Sequence, residues 1–193
     1  LTFANSVTEI CCQFGKKIII PPPVLKLVGG QSSGKTTLTF RLIGYDILPT
    51  GDSMVTRTPV YIRLHKISDT DNVKIKLSFI TQGKLTERTS VEFKHDDADV
   101  YDKLSQFKQG ISNLTNEITG GPYKISSEKI FVDVESNKVT NFSFVDLPGI
   151  ILTECVDKGQ TRDLPDKIKS LLKEELSAPN TVALVVIQSG RDL

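Results

Sequence analysis

Cysteine is scarce in this 193-residue chain, limited to Cys11, Cys12 and Cys155. Two of the three are adjacent and none has a zinc-ligand spacing, so the pattern gives no cysteine metal site and reads as free thiols in a reducing compartment. Long apolar runs are missing: the longest cover only a few residues, against the ~20 that a bilayer-spanning helix needs. No charged segment followed by an apolar one opens the chain, so no signal peptide is read at the start. Excess charge of either sign is absent too, since 24 Lys and Arg against 23 Asp and Glu leave a formal net charge of +1. No global field then draws the chain to nucleic acid or to an anionic membrane. No nucleic-acid partner is expected, and membrane contact is assigned to segments outside this sequence. Internal repeats and low-complexity tracts are lacking, and the Asn113 and Asn141 glycosylation patterns are read as idle.

What is present is an ordinary globular composition, 38% hydrophobic and 24% charged, enough for one domain with a core. Residues Gly29-Gly30-Gln31-Ser32-Ser33-Gly34-Lys35-Thr36 carry the pattern G-x4-G-K-[ST]. Glycines at these positions let successive backbone N–H groups turn onto phosphates, Lys35 reaches the β and γ phosphates, and the Thr36 hydroxyl takes a place on Mg²⁺. Thr37 continues the cradle into the helix. A chance match in a glycine-rich turn is the competing reading. The apolar run Val24 to Val28 before the motif and the Leu38/Leu42 pair (i, i+4) after it supply the strand and helix that a real cradle requires.

The rest of the chain alternates periods. Leu1 to Gly15 reads as a lead-in helix, set off by Pro21-Pro22-Pro23. Gly44 to Ser53 is a loop and Tyr61 to Leu64 a strand. Val73, Ile75, Leu77 and Phe79 mark a half-buried antiparallel strand. Asp96 to Asp99 offer N-caps for an amphipathic helix with Val100, Leu104, Phe107, Ile111, Leu114 and Ile118 on one stripe. That stripe suits either a helix covering a sheet or a partner-binding helix, and Gly120-Gly121-Pro122 ends it. Ile130, Val132 and Val134, then Phe142 and Phe144, read as two neighbouring strands. Ile168, Leu171, Leu172 and Leu176 mark a further helix, and Thr181 to Ile187 a buried strand. The expected fold is α/β: a P-loop fold with a mixed, mostly parallel sheet, helices on both faces and extra antiparallel strands.

A second half-site follows the strand ending at Val145. Asp146-Leu147-Pro148-Gly149 has the form D-x-x-G, in which the carboxylate holds Mg²⁺ through water and the glycine N–H senses the γ-phosphate. Alone it is an ordinary turn; after a P-loop, in this order, it completes a nucleotide site. Thr56 and Thr58 are the candidates for a second hydroxyl on Mg²⁺. Small signalling GTPases place a water-positioning Gln directly after the D-x-x-G glycine, and here that residue is Ile150. The residues themselves specify a purine nucleoside triphosphate, with no [TN]-K-x-D segment to read guanine.

Taken together, the P-loop, Leu48-Pro49-x-Gly51, Val55-Thr56-Arg57-x-Pro59 and Val145-Asp146-Leu147-Pro148-Gly149-Ile150 resemble the GTPase domain of the dynamin superfamily. The resemblance covers nearly the whole chain and implies one GTPase domain over residues 1–193, incomplete at its C-terminal side. It implies GTP and GDP as ligands, with Mg²⁺ and a monovalent cation, Na⁺ or K⁺. Gly29, Gly30, Gln31, Ser32, Ser33, Gly34, Lys35, Thr36, Thr37, Gly51, Asp146 and Gly149 would bind them. Thr36, Thr56 and Asp146 would serve Mg²⁺. Gln31, Ser32, Lys35, Thr56 and Gly149 would serve catalysis, with Gln31 beside the attacking water and at a dimer contact. Ser32 and the Gly51 region would hold the monovalent cation, which does the work of an arginine finger. The resemblance further implies a GTPase-domain dimer and higher oligomers, and a cytoplasmic, peripherally membrane-associated protein that remodels membranes. Leu152 departs from it, standing where the family commonly has a basic residue that reaches across the dimer. A scaffold with little hydrolysis, and a P-loop ATPase or kinase, are the alternatives.

Overall fold

The computed structural model describes residues 23–51, 54–68, 71–81, 83–151 and 161–188. Leu1 to Gly15, Cys155 and Leu152 lie outside the described residues.

Strand β1 (Val24–Val28) runs into the P-loop and helix α1 (Lys35–Ile43). Then come β2 (Val60–Lys66), the hairpin β3 (Asn72–Thr81) and β4 (Lys84–Lys94), and the long helix α2 (Val100–Thr119). After it follow β5 (Ile130–Ser136), β6 (Phe142–Asp146), helix α3 (Leu164–Leu176) and β7 (Thr181–Val185). The strands form one seven-stranded sheet in the order β4-β3-β5-β2-β6-β1-β7. β1 is parallel to β6 and β7 and β2 is parallel to β5, while β2 meets β6, and β3 meets both β4 and β5, antiparallel. This is the mixed α/β P-loop fold that the interleaved periods implied.

Alternation along each strand divides the core between the two faces of the sheet. Leu27 and Phe144 point into one cluster with Ile43 of α1 and Leu104, Phe107, Ile111 and Leu114 of α2. Their neighbours Val28 and Val145 point into the other, against Leu164, Ile168 and Leu172 of α3. The α2 stripe is therefore spent on the sheet, which decides between its two readings. Gly120, at φ 68, ends α2 with its N–H on the Asn116 carbonyl.

The structure corrects several expectations. β5 and β6 are not neighbours: β2 lies between them, with Ile62 opposite Val132 on one side and Phe144 on the other. Alternation fixes which face a side chain takes, and pairing is decided by strands distant in sequence. β7 is an edge strand, bonded only to β1 among the described strands, and its Val182 and Val185 are 50% and 64% exposed. An apolar run without alternation reads as buried on both faces, and the described residues cover this one only in part. β4 was not legible at all, because only Phe93 of its residues is buried. On α1 the buried residues are Lys35, Thr39 and Ile43, with Leu38 only partly covered and Leu42 exposed. Asp99 makes no side-chain cap and pairs with Lys103 instead.

One polar group sits inside the α3 face. Lys26 of β1 donates at 2.7 Å to the Glu175 carboxylate, which also accepts from the Tyr61 hydroxyl at 2.8 Å. Burial pushes the Glu175 carboxyl up, and the hydrogen bonds from Lys26 and Tyr61 outweigh it and hold it below its ordinary value. The pair fastens the end of α3 to the strand that feeds the P-loop.

Candidate functional site

The sheet brings the two half-sites together because β1 and β6 are parallel neighbours, with Leu27 opposite Asp146. Whatever follows each strand must emerge at the same, C-terminal edge, where ligands of open α/β sheets bind. The two exits are also bonded to each other. Ile150 N–H donates to the Gly29 carbonyl at 3.0 Å and Gln31 N–H to the Ile150 carbonyl at 3.1 Å. The segment after D-x-x-G thus lies along the P-loop like one more rung of the sheet.

Close approach explains two of the glycines. A Cβ on Gly29 would stand 2.3 Å from the Val186 carbonyl oxygen, and one on Gly149 would stand 3.1 Å from Gln31 Cα and 3.3 Å from Lys35 Nζ. Gly29→Ala is accordingly expected to destabilise the fold by about 1–3 kcal/mol, since backbone must shift to admit the methyl. Chemical denaturation checks it, and an unchanged midpoint would show that the β7 exit yields freely. Ser32 holds φ 61, the left-handed region that non-glycine residues seldom occupy outside functional turns.

Around this turn lies a cleft of about 240 Å³ lined by Gln31, Ser32, Ser33, Gly34, Lys35, Thr36, Thr37, Thr50, Gly51, Met54, Val55, Thr56 and Gly149. Lys35 is buried, its Nζ donating at 2.9 Å to the carbonyls of Gly29 and Gly30. Burial lowers its pKa from the ordinary lysine value and the Asp146 charge partly restores it. Asp146 is 1% exposed, and its Oδ2 accepts from the Thr56 hydroxyl at 2.8 Å. Burial pushes its carboxyl up to about 6, against the Thr56 hydrogen bond and the Lys35 charge. Its Oδ1 is buried with no hydrogen-bond partner, as is the Ser33 hydroxyl. An orphaned carboxylate oxygen whose twin accepts from the Thr56 hydroxyl is a hard-oxygen donor set that fits Mg²⁺, which uses one or two carboxylates and completes its shell with water and phosphate. Among the described residues no cluster of three His, Cys, Asp or Glu side chains could hold a metal without such help.

Of the sequence-derived site residues, Gln31 to Thr37, Gly51, Thr56 and Gly149 line this one cleft. Gly29 and Gly30 form its floor through their carbonyls, and Asp146 stands behind Thr56. Thr58, the other hydroxyl candidate, is fully buried and donates to the Glu128 carbonyl, turned away from the cleft. Thr50 and Met54 are lining residues that motif reading had not singled out, and Val55 entered only as part of a signature. Arg57 entered only as part of a signature, and its contacts with α2 carried no sequence signal.

The dynamin family model matches residues 25–193. The chain belongs to the dynamin family. Its P-loop fold is that family's GTPase domain. Dynamin-1-like protein of Mus musculus is 34% identical over 189 residues, covering 98% of this chain and 25% of that protein. Dynamin-related protein 12A of Glycine max is 30% identical over 201 residues, 100% of this chain and 30% of that protein. Phragmoplastin DRP1A of Arabidopsis thaliana is 30% identical over 171 residues, 89% of this chain and 25% of that protein. The chain therefore spans between a quarter and a third of the length of these curated relatives. No helix among the described residues is long and apolar enough to cross a membrane.

Proposed function

We propose that this dynamin-family domain binds GTP at the P-loop cleft and hydrolyses it to GDP and phosphate, and that the full-length protein couples this cycle to self-assembly and membrane remodelling. The observation that carries the reading is the meeting of Lys35, Thr36, Thr56 and Gly149 around one cleft, with buried Asp146 bonded to Thr56 behind it. In that role the amides of residues 30–36 bind the phosphates, and Lys35 leaves its two carbonyl acceptors to take a phosphate oxygen. Thr36, Thr56 and Asp146 would hold Mg²⁺, which when bound would supply positive charge against the phosphates. Thr56 and Gln31 orient the attacking water, and Ser32 with Gly51 supports a monovalent cation. Gly149 follows the γ-phosphate, and its loss frees the segment bonded along the P-loop.

A second reading, a GTP-dependent assembly scaffold with little hydrolysis, draws support from Ile150. An exposed apolar side chain stands where a water-orienting amide would sit in a small GTPase. The hydrolysis rate per molecule of the full-length protein, followed against protein concentration, separates the two. A rate that rises with concentration is expected, because a dimer completes the site; tight GTP binding without turnover at any concentration would overturn the enzymatic reading.

A further inference from the structure

Thr56 and Arg57 are neighbours in the chain but engage different parts of the fold. Thr56 reaches Asp146, and Arg57 reaches the far end of α2. There the guanidinium is 8% exposed, with one nitrogen donating to the Thr119 hydroxyl at 2.9 Å and to the Gly121 carbonyl and another donating to the Asn116 side-chain oxygen. Thr119 passes the interaction on, donating in turn to the Thr115 carbonyl at 2.8 Å. Among the described residues no carboxylate pairs with Arg57. Its charge is met by neutral oxygens at a helix C-terminus, the end that carries partial negative charge. A buried cation is tolerated only when hydrogen-bonded in this way, and the planar fork of arginine fits several acceptors at once.

A second observation says why the pin matters. Between Thr56 and α2 lies a cleft of about 210 Å³, bordered by Asp146, Ile111, Ser112 and Thr115. Side chains do not fill the space behind the threonine, so packing against α2 does not fix its position. What fixes it is the chain on its C-terminal side: Arg57 in α2, the Arg57 carbonyl on Ser126 N–H at 3.0 Å and the Pro59 carbonyl on Ile130 N–H at 3.1 Å.

We propose that the C-terminal end of α2, through Asn116, Thr119 and the Gly121 carbonyl, is a socket that fixes the catalytic segment, and that Arg57 is the positioning residue that plugs into it and holds Thr56 at the phosphate cleft. The proposal rests on the reading of Thr56 as a hydrolytic residue. It gives α2 a part in the reaction although neither Asn116 nor Thr119 lines the nucleotide cleft. A positioning role predicts loss of turnover with affinity retained, because misplacing one hydroxyl by about 1 Å costs up to ~100-fold in rate while the phosphate cradle stays whole.

The test uses the full-length protein, with turnover at saturating GTP and GTP affinity measured separately, on variants whose melting temperatures match the parent. Arg57→Lys and the α2-side double variant Asn116→Ala/Thr119→Val should each lower turnover about tenfold or more while GTP affinity stays within about threefold. Combining them should add little, since both remove one interaction. Thr119→Ser, which keeps the hydroxyl, should retain the parent rate. Should Arg57→Lys fail to fold, the α2-side variants carry the test alone. Losses in affinity rather than turnover would make Arg57 a nucleotide ligand and overturn the socket. So would normal turnover in the α2-side double variant while Thr56→Ala is impaired. Normal turnover in Thr56→Ala itself would remove the hydrolytic reading, and the socket with it.

Discussion

Lys35→Ala is expected to weaken GTP binding by roughly one to two orders of magnitude, the range set by about 1.5–3 kcal/mol for a hydrogen bond to a charged group. Lys35 donates to Gly29 and Gly30 in the structure, so its amine already stands at the floor of the cleft. The variant loses that charge-assisted contact and leaves the two carbonyls without their donor. It also takes the Lys35 charge away from the buried Asp146 carboxylate, which raises the cost of keeping that group ionised. Titration with a fluorescent GTP analogue measures the effect. Affinity equal to the parent would mean that the phosphates do not sit in this cradle.

Thr56→Ala should give the opposite division, with GTP affinity nearly intact and turnover lowered about 10²–10³-fold, the usual cost of removing one group aimed at the reacting centre. The hydroxyl it removes is the sole hydrogen-bond donor to Asp146 Oδ2 among the side chains described, and Oδ1 has no partner already. With both oxygens unpaired, the carboxyl is held still further above the ordinary aspartate range, which weakens it as a metal-water acceptor. Single-turnover kinetics separates the chemical step from binding. A normal rate would remove Thr56 from the reaction, and the buried Thr58 hydroxyl, committed to the Glu128 carbonyl, is poorly placed to inherit the role.

Much of this site was legible because its parts are local. A P-loop is a run of consecutive residues whose spacing is dictated by phosphate geometry, and D-x-x-G is four residues at the end of an apolar strand. The stripe from Leu104 to Leu114 likewise declares a helix, since a period of 3.6 needs no knowledge of the partner. The illegible features are those that depend on distant chain. The insertion of β2 between β5 and β6 reflects pairing across more than 60 residues, and β4 presents too few buried side chains to mark its period. The contact of Arg57 with Asn116 joins a loop to a helix end 59 residues away, and neither residue has a pattern that announces the other. Lys26 and Glu175, 149 residues apart, form an ion pair that each side would separately suggest is a surface charge.

The outer position of β7 among the described strands bears on how copies of this 193-residue chain meet when it is assayed alone. Among the described residues β7 is bonded only to β1, so its other side offers a row of backbone donors and acceptors to a second strand, flanked by side chains that include the exposed Val182 and Val185. Two copies of this 193-residue chain can therefore meet edge to edge along β7, an association distinct from the cleft-to-cleft pairing proposed above. Edge-to-edge association scatters light and consumes protein without raising turnover per molecule. A charged side chain at position 185, exposed on the strand and not among the residues lining the cleft, disfavours edge pairing, so a concentration-dependent rise in rate that persists in that variant has another contact as its source.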